Sequence, residues 1–182
     1  VTNPHKWLFV PIDASALFLR RPEVLRRALQ LVPEYLQTTA APEAVNLMDY
    51  GFQLGRRFRA IKLWWVIRTF GVEGIRRRIA EHCRLAEVFA SWVEADPGFE
   101  LAAPVPFSTI CFRASWPGIA AEERDARNER ILERVNADGR VFLSHTKLRG
   151  AYTLRVAIGN LRTEERHLRV AWDLLCSARE GG

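Results

Sequence analysis

The chain has 182 residues, 48% of them apolar, and 27 basic against 21 acidic side chains give a formal charge of +6. That is room for one core, or for one domain and part of another, and six tryptophans with ten phenylalanines exclude a disordered polymer. The charge is no nucleic-acid signature, because Arg56-Arg57-Phe58-Arg59 and Arg76-Arg77-Arg78 are balanced by runs such as Glu122-Glu123-Arg124-Asp125, with no aromatic-interleaved groove or helix-turn-helix pattern. The longest apolar run, Leu63 to Ile67, is closed by Lys62 and Arg68, so no membrane span is expected. Cys83, Cys111 and Cys176 are odd in number and far apart, which fits neither a disulfide framework nor a zinc site. They read as small buried side chains of a cytoplasmic protein, and no metal is expected. There is no signal-peptide pattern, and the opening Val1-Thr2-Asn3 lacks a methionine. The expectation is a piece of a longer protein.

Lysine is rare: Lys6 is one of three among the 27 basic residues. A lysine amine can lose its proton and attack a carbonyl, which a guanidinium does not do at any working pH. Pro4, His5 and the apolar run Trp7-Leu8-Phe9-Val10 around it are expected to fix its approach and desolvate it. Trp7 to Arg20 reads as two short buried strands joined by a turn, with Lys6 at the start of the first. Pro22 to Leu29 reads as a short helix with proline in its first turn. From Val32 to Tyr50 periodicity is lost, and Pro33, Pro42 and Thr38-Thr39 predict a long mobile loop carrying Tyr35.

Gly55 to Phe70 reads as a buried helix, apolar around much of its circumference. After Gly71 and Gly74 a second helix carries Ile75, Ile79, Cys83, Ala86, Ala90 and Val93 as an inner stripe, with Arg77, Glu81, Arg84, Glu87 and Glu94 opposite. Asp96-Pro97-Gly98 ends it. Strands follow at Phe99 to Ala102 and Ser108 to Arg113, then a charged surface helix from Ala121 to Asn136 closed by Asp138-Gly139. A second strand pair is expected at Val141 to Ser144 and Tyr152 to Ile158. In the last helix Thr163 is the expected N-cap, Glu164 and Glu165 suit the positive end, and Leu168, Ala171, Trp172 and Leu175 face inward. The order implies an α+β domain with an antiparallel sheet covered on one face.

Asn3-Pro4-His5-Lys6-Trp7, Asp13-Ala14-Ser15-Ala16, Pro33-Glu34-Tyr35-Leu36, the run Leu54 to Trp64 and Leu154-Arg155-Val156-Ala157-Ile158-Gly159-Asn160 occur in one consistent order. Together they resemble the carboxy-terminal part of the pyridoxal-phosphate-dependent group II amino-acid decarboxylases, above all the aromatic-L-amino-acid decarboxylases. The resemblance implies an α/β to α+β architecture: residues 1–74 as the end of the large cofactor domain of a fold-type I enzyme, residues 75–182 as its small domain. It implies that Lys6 forms the internal aldimine with pyridoxal 5'-phosphate, that Asn3 lies near the cofactor phosphate and that His5 lines the active site.

The resemblance further makes Tyr35 the proton donor on a mobile loop, a position where phenylalanine goes with aldehyde formation, so tyrosine favours the amine product. Arg155 falls where relatives place an arginine that meets the substrate carboxylate. Arg56 is a second candidate for that role, with an ion pair at the start of a helix as its favoured structural reading. The implied reaction takes an aromatic or related L-amino acid to its amine and carbon dioxide, in a cytoplasmic homodimer. An aldehyde synthase or another carbon–carbon lyase on the same scaffold is the alternative, as is a stand-alone basic interaction module. Ile12 stands where aromatic-specific members often carry an aromatic residue, which leaves strict aromatic preference open. The phosphate cradle and the aspartate partner of the pyridine ring would lie before Val1, so the 182 residues alone are expected to be inactive.

Overall fold

A computed structural model describes residues 1–30 and 45–181. The chain divides into two units, Val1–Thr69 and Phe70–Gly182, whereas the sequence placed the boundary between residues 74 and 75. The division falls beside a break in a helix, α3 (Ala60–Ala95), whose run is interrupted at Gly71 with φ 66° and ψ 167°. Only glycine takes that backbone without strain.

The first unit begins with a single helical turn, α1 (Pro4–Trp7), and continues to α2 (Pro22–Leu29). The second helix has the bounds expected from its sequence. The two buried strands expected from Trp7 to Arg20 are not formed. Extended backbone needs a ladder partner, and here the segment makes one isolated antiparallel bridge, Thr2 to Ala16. Proline at the first helical position has its φ set for the turn, so Lys6 sits in a helix rather than at the head of a strand. A 3-10 turn spans Leu47–Tyr50, where Asp49 is buried and pairs with Arg26 of α2 at 3.2 Å. Helix α3 starts at Ala60 rather than Gly55, and its first half is not buried: Phe58, just before it, is 72% exposed and Trp65 62%. The expected loop from Val32 to Tyr50, with Tyr35, lies largely outside the described residues.

The second unit follows the expected order of strand, strand, helix, strand, strand, helix. It comprises β1 (Phe99–Leu101), β2 (Thr109–Ala114), α4 (Ala121–Asp138), β3 (Ser144–Leu148), β4 (Ala151–Ala157) and α5 (Glu165–Glu180). All pairs are antiparallel, in the spatial order β1-β2-β4-β3. Arg149 and Gly150 link β3 to β4 with positive φ at both residues, the geometry a two-residue hairpin loop requires. Ile110 and Phe112 of β2 and Leu154 and Val156 of β4 alternate onto one face, where they are buried under the helices. Phe89 of α3 sits at the centre, edge-on to Phe112 at 5.5 Å and to Trp172 of α5 at 5.6 Å.

Three local readings shift. The inner face of α3 is His82, Leu85, Ala86, Phe89, Ala90 and Val93: Ala86, Ala90 and Val93 of the expected stripe are buried, while Ile75, Ile79 and Cys83 give way to His82, Leu85 and Phe89. β3 starts at Ser144, because Leu143 is held outside the ladder by Asn136 of α4, whose amide donates to the Leu143 carbonyl (3.0 Å) and accepts its N–H (2.8 Å). The N-cap of α5 is Glu164 rather than Thr163, since Glu164 and His167 cap each other reciprocally. Helix α4 is not wholly a surface helix either: Asn128, Ile131, Leu132 and Val135 are buried.

Candidate functional site

The residues around Lys6 form a small built structure. The α1 turn closes through the Lys6 N–H to Asn3 carbonyl bond (2.9 Å) and the Leu8 N–H to Pro4 carbonyl bond (3.2 Å). Pro4, Val10 and Ala14 are buried beneath it. Residues 14–16 run alongside residues 2–5 and hold them one by one. Thr2 and Ala16 exchange both backbone hydrogen bonds, at 2.9 and 2.8 Å. The Ser15 hydroxyl donates to Asn3 Oδ1 at 2.7 Å.

His5 Nδ1 lies 2.7 Å from the Ala14 carbonyl oxygen and 3.2 Å from the Ala14 nitrogen. One nitrogen cannot serve both contacts, and the shorter assigns Nδ1 as the N–H that donates to the carbonyl. Nε2 is then left as the imidazole's acceptor. Lys6, by contrast, is exposed, and among the described residues its ammonium makes no hydrogen bond or ion pair. The apolar run expected to desolvate it does not cover it: Trp7, Leu8 and Phe9 are half-buried beside an amine that faces outward.

A further set of side chains supports residues 11–15 from the start of α3. Arg59 Nε donates to Asp13 Oδ2 at 3.1 Å, and that bond holds the Asp13 carboxyl below the usual carboxylate range. Lys62 Nζ donates to the carbonyls of Pro11 (3.1 Å) and Asp13 (2.9 Å). A cavity of about 380 Å³ opens between Pro4 and Ala14–Ala16 on one side and Arg56, Arg57 and Arg59 on the other. Lys6 does not line it. Of its polar side chains, Ser15 already donates to Asn3, Arg56 to the Leu47 carbonyl and Arg59 to the Asp13 carboxylate, and much of the remaining wall is apolar.

Arg56 donates to the Leu47 carbonyl at 3.0 Å, four residues before α3 begins; the expected ion pair at a helix start is replaced by this main-chain bond. Arg155 lies in the second unit, on β4, opposite Cys111 of β2 and Ser144 of β3, on the sheet face turned away from Leu154 and Val156. It is half-buried, and among the described residues it has no carboxylate partner. Burial raises the Cys111 thiol above its ordinary range, while the Arg155 charge works against that rise. Tyr35 lies outside the described residues. Ile12 is 84% exposed.

Sequence reasoning quoted Asp13, Ser15, Arg59 and Lys62 within its motifs but gave them no role. The available signal was the second of the three lysines, set three residues after Arg59 at the start of a helix. Among the described residues no cluster of His, Cys, Asp or Glu could hold a metal ion. Nor is any helix long and apolar enough to cross a membrane.

Residues 1–115 match the pyridoxal-dependent decarboxylase conserved domain. Over 175 residues the chain is 36% identical to an aromatic-L-amino-acid decarboxylase of Catharanthus roseus, covering 95% of this chain and 35% of the relative. It is 37% identical over 182 residues to a phenylacetaldehyde synthase of a Rosa hybrid cultivar, with 95% and 36% covered. The crystal structure of Oryza sativa TDC with PLP and tryptamine superposes with a TM-score of 0.92 at 35% identity, over 98% of this chain and 38% of that one. The chain therefore spans little more than a third of the proteins it matches.

Proposed function

The chain belongs to the pyridoxal-dependent decarboxylase family, and on that premise we propose that it is the carboxy-terminal part of an enzyme converting an aromatic or related L-amino acid to its amine and carbon dioxide. The observation that carries the reading is Lys6: an exposed amine without a partner among the described residues, on a turn whose neighbours Asn3 and His5 are each pinned to residues 14–16. An accessible primary amine on a fixed support suits covalent attachment of the cofactor's aldehyde. Bound there, pyridoxal phosphate supplies a sink for the electron pair left when carbon dioxide departs.

The chain's own residues then have separate tasks. Lys6 would hold the cofactor through its side-chain amine. Asn3 stands near the phosphate, and His5 lines the site with Nε2 available to accept a hydrogen bond. Arg155, which has no carboxylate partner of its own, meets the carboxylate of the substrate. Arg56 is held by the Leu47 carbonyl, and for it the anchoring role is the better supported. Tyr35 delivers the proton to the substrate's α-carbon.

The whole enzyme acts as a cytoplasmic homodimer in this reading, and the three free cysteines accord with a reducing compartment. A second reading, aldehyde synthesis on the same scaffold, is favoured by the 37% identity to the phenylacetaldehyde synthase and opposed by a tyrosine at position 35. In the full-length parent, Lys6→Ala is expected to abolish the visible absorbance of bound cofactor and all turnover, while product analysis of the unmodified parent separates amine from aldehyde. Retained absorbance in Lys6→Ala would refute the assignment of Lys6.

A further inference from the structure

We propose that Lys62 is a positioning residue for the Lys6 turn, its ammonium fixing the main chain of residues 11–13 so that Ala14 and Ser15 hold His5 and Asn3 in place. The proposal rests on the reading of Lys6 as the cofactor-bearing lysine. Its geometry is a short relay of hydrogen bonds within the first unit. Lys62 Nζ donates to the carbonyls of Pro11 and Asp13 at 3.1 and 2.9 Å. One residue further on, the Ala14 backbone meets His5 Nδ1, and the next residue, Ser15, donates to Asn3 Oδ1. Both precede Lys6 on the same turn, Asn3 as the N-cap of α1 and His5 as its immediate neighbour within it.

The residue type fits this task better than the common alternative in this chain. Two carbonyls two residues apart converge on one nitrogen, and an ammonium presents three N–H donors around a single atom. A guanidinium spreads its donors over a planar fork that suits a carboxylate. The two groups divide the segment accordingly. Arg59 takes the Asp13 carboxylate and Lys62 takes the main chain beside it. In a chain with three lysines among 27 basic residues, a lysine kept for a carbonyl pair next to an arginine kept for a carboxylate is a chemical distinction rather than a charge count. Each of the two bonds is charge-assisted, so losing both is large enough to release the segment.

The test uses the full-length parent stripped of cofactor, with isotope-labelled histidine and the His5 signal assigned through His5→Gln. The Nδ1–H held by the Ala14 carbonyl is read by its exchange with solvent. Lys62→Met, which keeps the stem and removes the donors, is expected to speed that exchange at least about tenfold and to weaken cofactor retention by about tenfold, with far-UV circular dichroism unchanged. Unchanged His5 exchange in the folded variant would overturn the proposal.

Arg59→Lys, which disturbs the Asp13 carboxylate pair but leaves both carbonyl contacts, is expected to keep the slow exchange. A loss equal to that of Lys62→Met would overturn the assignment to Lys62. Should Lys62→Met fail to fold, Lys62→Arg carries the same readout, with faster exchange expected because the fork cannot place one nitrogen between both carbonyls; parental exchange there overturns the proposal. Lys6→Ala keeps the two ideas apart. Cofactor that borohydride still fixes covalently to the protein without Lys6 defeats the reading of Lys6, whereas the His5 exchange in cofactor-free protein answers only to Lys62.

Discussion

The two units of this chain are held together by different means. The second unit has a continuous apolar core in which Phe89, Phe112, Ile110, Leu154 and Leu175 are fully buried. Among the described residues the first buries little more than Pro4, Val10, Ala14 and Asp49 and is fixed at the surface by side-chain-to-backbone hydrogen bonds from His5, Lys62 and Arg56. The lesson is a division of roles. A packed core tolerates exchange of surface residues and resists loss of volume, whereas a pinned loop depends on individual polar contacts and presents reactive groups to solvent.

The sharpest way to break this contrast is to remove volume from the second unit. Phe89 touches Phe112, Trp172 and Trp92, so Phe89→Ala removes a ring from the centre of three others. The expected cost is about 3–5 kcal/mol in urea unfolding, a large part of the stability of a domain of this size. A loss below about 1 kcal/mol would mean that the core collapses around the gap.

The next effect is polar but belongs to the same unit. Asn128 of α4 is fully buried, accepts from the Ala114 N–H at 2.8 Å and donates to the Ala114 carbonyl at 3.0 Å. In this way a side-chain amide completes the end of β2 as a neighbouring strand would. Asn136 repeats the arrangement on Leu143, and Asp125 accepts the Tyr152 N–H at 3.0 Å. Asn128→Ala leaves two buried backbone groups unpaired, and a loss of about 2–4 kcal/mol is expected. Asn128→Asp, which can accept but not donate when ionised, is expected to be harmed more at neutral pH than in mild acid.

How much of this was legible follows the same division. The elements of the second unit were readable because local patterns and a packed core agree there: Gly139, with φ 82°, ends α4, and Leu168, Ala171, Trp172 and Leu175 face inward as spaced. The misreadings came where apolar content was taken for burial. Val141 to Leu143 is more apolar than Ser144 to Leu148, yet the polar segment forms the edge strand, because an edge is chosen by open ladder positions rather than hydrophobicity. Ile75, Ile79 and Cys83 keep helical spacing but are half-buried, while His82 is buried, a choice set by what packs on α3 and not by the helix itself.

In the first unit the motif around Lys6 was legible and its support was not. The bonds from Arg59 and Lys62 to residues 11–13 join positions more than 45 residues apart, which no local pattern records. Nor does any local pattern record the burial of Asp49 against Arg26, 23 residues before it.

Acid provides a finer probe of the second unit. Burial pushes the His82 imidazole below its ordinary 6.5, against the opposing effects of a hydrogen bond to the Asn160 backbone and of Glu81. A histidine whose folded value is depressed contributes stability that is present above its unfolded value and is lost as pH falls through the folded one. The second unit is thus expected to weaken as pH drops from about 7 to about 5, and His82→Gln to flatten that slope relative to the parent chain. Parallel pH profiles for the two proteins would show that His82 charges without cost.

The smallest expected change in stability lies on the exposed part of the first unit. Phe58, Ala60, Ile61 and Trp64 line an open apolar cavity of about 390 Å³, and Trp64 is 57% exposed. Its contact with the Arg68 guanidinium, 5.8 Å from the ring centroid, is a surface cation–π pair worth well under about 1 kcal/mol. Trp64→Ser should therefore change the unfolding free energy of the 182-residue chain by no more than about 0.5 kcal/mol, roughly a sixth to a tenth of the Phe89→Ala effect. It should also cut the native chain's fluorescence enhancement of an apolar dye such as ANS, because that dye reports exposed apolar surface. A large loss of stability with no change in dye binding would reverse the contrast between the units, making this helix face part of a core.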